Sequence, residues 1–248
     1  MTEGQRRYVA VVTGGSRGIG QATALRLAQD GCAVTVADVN PAGAEVAAQI
    51  VANGGHARFI ETDVADSNSV ASMVAETESA FGKVNVLAAV AAILGDEHSV
   101  VDLPLSEWQR VIDVNLTGVL NCSQAVLPSM IDQGWGRIVA VSSHARFGVP
   151  ERLPYGVSKA GVLALIGAIA YGYARAGILA NCVDPGRVLT DMIVPRYDSE
   201  YLANPPGVSI GRFAQPEEIA EVIGFLCSPR NTYAVGALWE ASGGIEFA

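Results

Sequence analysis

The chain has 248 residues, a length that a single α/β domain can organise around one core. Half of the residues are hydrophobic, 17% are charged, and the formal net charge is -9. Proteins that hold phosphate backbones cluster Lys and Arg, so this acidic composition is evidence against a nucleic-acid partner. We expect one compact domain over residues 1–248.

The cysteines and histidines are too dispersed for a metal site. They are Cys32, Cys122, Cys182, Cys227, His56, His98 and His144, and none of their spacings matches a metal-ligand pattern. The first ten residues lack the apolar centre of a secretory signal. The longest apolar stretch, residues 161–174, is shorter than the roughly 20 residues of a membrane helix. The sequence favours a cytoplasmic protein with reduced thiols, no metal and no membrane segment.

Runs of β-branched apolar residues alternate with helical patterns along the chain, an order typical of parallel strands joined by helical crossovers. The predicted strands are residues 8–12, 33–37, 57–61, 84–90, 137–141, 178–183 and 237–240. They predict a doubly wound, Rossmann-type α/β fold, in which one seven-stranded parallel sheet has helices on both faces. A ligand of such a sheet lies beyond the carboxyl ends of its strands.

A glycine-rich turn, residues 13–20, lies between the first predicted strand and a helical pattern. Gly14, Gly18 and Gly20 would permit a tight turn, the approach of a pyrophosphate to the backbone, and close helix packing. The helix N-terminus also favours anionic phosphates. The turn predicts a dinucleotide site, to which we assign Gly14, Ser16, Arg17, Gly18, Ile19 and Gly20.

Asp38 ends the second predicted strand and is expected to bind the cofactor's ribose. A carboxylate accepts hydrogen bonds from the free ribose of NAD but repels the additional phosphate of NADP. Arg17 supports the opposite choice, because a basic side chain in the turn could pair with that phosphate. The balance favours NAD as the cofactor.

Tyr155 and Lys159 are four residues apart in a helical pattern, so their side chains share one face. A phenol titrates near pH 10, but an adjacent ammonium group stabilises the phenolate and lowers the pKa. Tyr155 could therefore act as a general acid or base. The pair alone has little specificity, since this spacing occurs by chance in amphipathic helices.

Taken with the glycine turn, the pair resembles the classical short-chain dehydrogenase/reductase (SDR) family, and the resemblance extends from Val9 to about Gly244. It implies a catalytic tetrad of Asn115, Ser143, Tyr155 and Lys159. In that family the serine holds the substrate oxygen, the tyrosine moves a proton, the lysine orients the nicotinamide ribose, and the asparagine holds a relay water. Ser142 remains an alternative to Ser143.

The resemblance also implies further cofactor contacts, which are Asp63, Val64, Ala91, Pro185, Gly186, Val188 and Thr190, together with Tyr155 and Lys159. One departure is clear. Where the family usually has Asn-Asn-Ala-Gly after the fourth strand, this chain has Ala89-Val90-Ala91-Ala92. Loss of the asparagines could loosen the cofactor loop, or apolar repacking could compensate for it.

Residues 187–211, rich in Pro, Tyr and charge, are expected to form a substrate lid. Ile93, Leu94, His144 and Arg146 are candidates for the substrate pocket. The apolar segments 104–130 and 157–174 resemble the family's interface helices, which implies a homotetramer.

Together these features predict an NAD-dependent oxidoreductase that interconverts a small-molecule secondary alcohol and a ketone. Two alternatives are a non-catalytic regulator or scaffold that senses a dinucleotide, and a sugar-nucleotide epimerase or dehydratase.

Overall fold

A computed structural model describes residues 8–245 of the chain. The strands are β1 Val9–Thr13, β2 Ala33–Asp38, β3 His56–Glu61, β4 Val86–Ala89, β5 Gly136–Val141, β6 Ile178–Asp184 and β7 Leu238–Glu240. The helices are α1 Gly18–Gln29, α2 Gly43–Ala52, α3 Ser67–Phe81, α4 Leu105–Ile112, α5 Gly118–Gln133, α6 Leu153–Tyr173, α7 Ser199–Ala203 and α8 Pro216–Cys227. A π-helical turn, Asp113–Thr117, joins α4 to α5.

The strands form one seven-stranded sheet in the order β3-β2-β1-β4-β5-β6-β7, and all neighbours are parallel. Strands β1, β5 and most of β2 and β6 are buried, as expected when helices cover both faces. One apolar core includes side chains of α3, α5 and α6, and the other includes side chains of α1, α2 and α8. The predicted Rossmann-type fold is confirmed.

Strand β4 is shorter than predicted, with residues 86–89 in the sheet instead of 84–90. The reason lies in the hydrogen bonds after Ala89. The backbone N–H groups of Val90 and Ala91 donate to the side-chain oxygen of Thr13, at 3.1 and 3.2 Å, so the chain turns away from the sheet. This turn opens a crevice beside the carboxyl end of β1.

The position of that crevice follows from the strand order. From β1 the chain proceeds to β2 and β3 on one side of the sheet, and it then crosses to β4 and continues outward on the other side. Crossovers on opposite sides leave a gap above β1 and β4, which is the expected ligand site of a doubly wound sheet. The glycine turn and the segment after β4 lie on its two edges.

The helical stretch 150–176, which contains α6, is the single one in residues 8–245 with enough length and apolarity to cross a membrane by those two measures, and its mean hydropathy is 1.5. In this protein α6 packs against β5, β6 and the π-helical turn. Val162, Ile166 and Ala170 contribute to the core on that face. Burial within the folded domain thus accounts for part of the apolar composition of α6, since 44% of its most apolar window is buried.

Candidate active site

A cavity of about 370 Å³ lies at the carboxyl ends of the central strands. The predicted site residues that line it are Gly14, Arg17, Gly18, Ile19, Gly20, Asp38, Asp63, Val64, Ala91, Ser143, Tyr155, Lys159, Pro185, Gly186, Val188 and Thr190. Two predicted residues, Ser16 and Asn115, lie behind its wall. The fold thus brings predicted residues from Gly14 to Thr190 together around one cavity.

The glycine turn is too closely packed for side chains at two of its positions. A Cβ atom on Gly20 would lie 1.9 Å from the carbonyl oxygen of Gly14, and a Cβ on Gly14 would lie 2.7 Å from the Cα of Ala91. Gly14 and Gly18 also have positive φ angles, of 65° and 54°. The turn therefore offers bare backbone and the start of α1 to the cavity, which fits the pyrophosphate of a dinucleotide.

Asp38 is held at the cavity edge by the same turn. Its Oδ2 accepts hydrogen bonds from the backbone N–H of Ser16 at 3.0 Å and from the Ser16 hydroxyl at 2.6 Å. Its Oδ1 accepts from the backbone N–H of Asn40 at 3.0 Å. Ser16 therefore acts on the cavity through Asp38, whose carboxylate is oriented before any ligand binds.

A second recess of about 340 Å³ is lined by Ser16 and Asn40, both of which are hydrogen-bonded to Asp38. Its lining also includes two acidic residues, Glu45 and Asp191, and one basic residue, Arg17. Charged residues of both signs therefore lie around this recess.

The two adjacent serines after β5 have different surroundings. Ser142 is buried, and its hydroxyl donates to the carbonyl oxygen of Lys159 at 3.0 Å. Ser143 is half-buried, accepts from the backbone N–H of Ala145 at 3.2 Å, and is hydrogen-bonded to the side chain of Tyr155. Of the two hydroxyls, that of Ser143 is the one that reaches the tyrosine.

Tyr155 and Lys159 project from the first turns of α6 towards β5. The Lys159 ammonium donates to the carbonyl of Val141 at 2.8 Å and lies 5.7 Å from the centre of the Tyr155 ring. Burial lowers the pKa of Lys159 to about 8. Burial also raises the pKa of Tyr155 above its ordinary value, while the hydrogen bond with Ser143 acts in the opposite direction.

The close approach of α6 depends on a glycine. A Cβ on Gly156 would lie 2.7 Å from the carbonyl oxygen of Ala145, in the turn that follows Ser143. The absence of a side chain at this position brings Tyr155 and Ser143 together.

Asn115 lies in the π-helical turn and is completely buried. Its amide oxygen accepts from the backbone N–H of Ile93 at 2.8 Å. Its amide nitrogen donates to the carbonyl of Ile93 at 2.8 Å and to the hydroxyl of Ser158 at 3.1 Å. The side chain thus ties the segment after β4 to α6, and the relay water that the family resemblance implies stays a prediction.

These bonds also explain how the chain accommodates Ala89-Val90-Ala91-Ala92. Thr13 binds the backbone of Val90 and Ala91, and Asn115 binds both polar backbone groups of Ile93. Backbone hydrogen bonds from neighbouring elements therefore support this segment without side-chain amides of its own.

Part of the cavity lining is apolar. Ile93 and Leu94 line the cavity as expected, and Met192 and Ile193 line it from the segment predicted to be a lid. His144 and Arg146 are not among the lining residues in the described part of the chain. Arg146 is instead buried in an ion pair with Asp184, so the expectation that it faces the pocket is wrong.

Sequence reasoning missed several other lining residues, which are Val39, Thr62, Val90, Ala92, Val114, Val141 and Asp191. Most are sequence neighbours of residues that were assigned. Five of them are valine or alanine, whose apolar side chains carry no chemical signal by themselves. Thr62 and Asp191 are polar, and their adjacency to Asp63 and Thr190 is the clue that could have found them.

Comparison with known proteins shows where this arrangement belongs. The family model described as enoyl-(acyl carrier protein) reductase matches residues 14–246. This chain belongs to the short-chain dehydrogenase/reductase family. The resemblance noted from its motifs is confirmed, and SDR enzymes of this group are oxidoreductases that use a nicotinamide dinucleotide.

Relatives named for different enzyme activities match this chain over nearly its full length. It is 39% identical to cis-4-hydroxycyclohexanecarboxylate dehydrogenase of Sinomonas cyclohexanicum over 98% of both chains. It is 38% identical to 3-oxoacyl-[acyl-carrier-protein] reductase of Synechocystis over 96% of both chains. The crystal structure of a 3-ketoacyl-(acyl-carrier-protein) reductase from Brucella melitensis with NADH superposes with a TM-score of 0.89, at 27% identity, over 97% of this chain and 98% of that one. These enzymes do not favour the non-catalytic alternative.

Proposed function

We propose that the protein is an NAD(H)-dependent dehydrogenase/reductase that interconverts a secondary alcohol and a ketone, with Tyr155 as the general acid/base. The observation that carries this proposal is the meeting of Ser143, Tyr155 and Lys159 in the same cavity as the glycine turn and Asp38. When bound, the nicotinamide ring of the cofactor would accept or supply the hydride.

Each catalytic side chain has a role that its surroundings support. The Ser143 hydroxyl, which reaches Tyr155, holds the substrate oxygen. The Tyr155 hydroxyl donates a proton to a ketone oxygen or accepts one from an alcohol. The Lys159 ammonium lies 5.7 Å from the centre of the Tyr155 ring, where its positive charge would favour the phenolate, and it would also bind the nicotinamide ribose.

The preference for NAD over NADP rests on charge near the adenosine ribose. Asp38 is oriented by Ser16 to accept hydrogen bonds from ribose hydroxyls. Glu45 and Asp191 add negative charge in the adjoining recess, where Arg17 provides the opposing charge. Three carboxylates against one guanidinium disfavour a 2′-phosphate.

The proposed substrate class rests on apolar side chains in the cavity lining. Ile93, Leu94, Met192 and Ile193 favour a substrate with a compact, apolar carbon skeleton. The relative named for a hydroxycyclohexane carboxylate supports a ring alcohol as the first probe, while the relative named for 3-oxoacyl carriers defines the competing class.

Further parts of the proposal concern architecture. Residues 1–248 would form one NAD-binding domain, in which residues 187–211 act as a substrate lid over the cavity. The exposed apolar side chains of Leu120, Ile131, Val157 and Tyr171 on α5 and α6 support a homotetramer. A cytoplasmic location remains a prediction from sequence.

Initial rates with paired substrates test this function. We expect cyclohexanol to reduce NAD faster than NADP, and cyclohexanone to be turned over faster than a 3-oxobutanoyl thioester. Faster reduction of the thioester would contradict the substrate class alone. Absence of turnover with every alcohol and ketone would contradict the oxidoreductase assignment.

A further inference from the structure

Arg146 forms a buried ion pair directly behind the proposed catalytic serine. Its side chain is 5% exposed, and its guanidinium contacts the carboxylate of Asp184, which is 0% exposed. A second guanidinium nitrogen lies 2.7 Å from the carboxylate of Glu240 on β7. The guanidinium also stacks over the ring of Phe147, 4.3 Å from its centre. Three contacts thus fix one side chain.

The pair joins two chain segments that line the cavity. Arg146 donates to the carbonyl oxygen of Ser143 at 3.2 Å. The other carboxylate oxygen of Asp184 accepts from the backbone N–H of Gly186 at 3.2 Å, in the turn that lines the cavity after β6. Arg146 and Asp184 therefore connect the Ser143 backbone to the Pro185-Gly186 turn.

This connection lies where the sheet no longer holds the chain. The backbone N–H of Ser142 donates to Val183 at 2.8 Å, which is the last ladder bond from β5 to β6. Ser143 comes after this bond and begins a short 3₁₀ turn, His144–Phe147. Beyond the sheet, the location of the Ser143 hydroxyl depends on contacts made by that turn.

We infer that Arg146 and Asp184 are positioning residues that set the distance between Ser143 and the Pro185-Gly186 turn. The inference rests on the proposed function, because those two segments would flank the substrate oxygen and the nicotinamide. Arg146 has a planar fork with several donors and can bind Asp184, Glu240 and the Ser143 carbonyl together. A displacement of about 1 Å in such a group can slow a reaction by about 100-fold.

Three variants separate positioning from simple stability. Arg146→Lys keeps the charge but lacks the fork, Asp184→Asn keeps an oxygen for Gly186 but loses the charge, and Glu240→Gln alters the exposed end of the network. Arg58→Gln is the matched control, because it removes an arginine from an exposed ion pair with Glu76 on another part of the surface.

The variants are compared with the wild type by kcat, by the Kd of NADH, and by hydrogen exchange of residues 143–148. We expect Arg146→Lys and Asp184→Asn each to lower kcat about 10- to 100-fold, with less than about a threefold change in the Kd of NADH. The double variant should cost no more than the worse single variant, since both break one connection. Exchange should rise in residues 143–148 and stay unchanged in β5, and Arg58→Gln should match the wild type.

Wild-type values of kcat and exchange in folded Arg146→Lys would overturn the inference, as would a loss of kcat without faster exchange at residues 143–148. If Asp184→Asn does not fold, Arg146→Lys decides the outcome and Glu240→Gln should give a smaller change in the same direction. A wild-type protein without turnover would contradict the proposed function instead, and the exchange measurement would still decide whether Arg146 orders the turn.

Discussion

The two ends of the cavity are built in different ways. The end proposed for adenosine is made from one short turn, in which Gly14, Gly18 and Gly20 expose the backbone, and from Asp38 on the next strand. The end proposed for catalysis takes Ser143 from a turn after β5 and Tyr155 from α6, and apolar side chains from two further segments. Backbone shape defines the first end, and the tertiary placement of side chains defines the second.

Because of this difference, substitutions at the two ends should have different effects. A change at the catalytic end should impair turnover and leave cofactor binding intact. A change in the glycine turn should impair cofactor binding first.

Replacement of Tyr155 by Phe should produce the largest effect. Without the hydroxyl there is no side-chain proton donor at the substrate oxygen, and kcat should fall by about 10² to 10⁴. The Kd of NADH should change little, as measured by fluorescence titration. Tyr233→Phe is the control, because Tyr233 is 93% exposed and should retain wild-type rates. Full activity in Tyr155→Phe would disprove the acid/base role.

Gly20→Ala should act on the other end. The added Cβ would lie 1.9 Å from the Gly14 carbonyl oxygen, so the turn must open. We expect NADH to bind about 10- to 100-fold more weakly, since overpacking of this kind costs roughly 1–3 kcal/mol. Gly172→Ala is the matched control, because that helical glycine has no atom within 4 Å of the new Cβ. Equal NADH affinity in the two variants would contradict the role of the turn.

The pH dependence should reverse between the two reaction directions. Alcohol oxidation needs the Tyr155 phenolate, so its rate should rise with pH up to the tyrosine pKa, whereas ketone reduction needs the phenol and should slow above that pKa. Lys159, with a pKa of about 8, carries its charge below about pH 8, and there the charge favours the phenolate. Lys159→Met should therefore slow alcohol oxidation most below about pH 8 and less above it. An equal loss of rate at every pH in initial-rate profiles would show that Lys159 does not tune Tyr155 through its charge.

Thr13→Val should have the smallest effect on function. Thr13 lies between the two ends of the cavity and binds the segment after β4. The N–H groups of Val90 and Ala91 would lose their acceptor, at a cost of about 1–3 kcal/mol in the free energy of unfolding. Urea unfolding measures this loss, and Ser99→Ala in an exposed loop serves as the control. An unchanged free energy of unfolding would mean that other contacts hold the segment after β4.

The sequence was sufficient to predict the fold class and most of the residues that line the cavity. The pattern of apolar residues predicts the strands and helices, and the spacing of the glycines predicts the turn. Each of these patterns involves residues that are close together in the chain. The carboxyl end of β4 was harder to predict. It depends on the hydrogen bond from the backbone N–H of Val90 to the side chain of Thr13, 77 residues away in the chain.

Arg146 shows why side-chain contacts between distant parts of the chain could not be predicted. As a sequence neighbour of Ser143 it was a candidate for the pocket, but its partners Asp184 and Glu240 are 38 and 94 residues away. A local pattern does not reveal which charges meet in the folded chain. The same holds for Asn115, whose buried amide is bound to Ile93 and Ser158.

The most direct test of the central proposal is a fluorescence titration of the purified protein with NADH and, separately, with NADPH, which needs no knowledge of the substrate. Asp38, Glu45 and Asp191 predict that NADH binds at least about tenfold more tightly, and that Asp38→Asn narrows the difference. Tighter binding of NADPH would mean that Arg17 outweighs the three carboxylates. Binding of neither nucleotide would contradict the assignment of the cavity as a dinucleotide site.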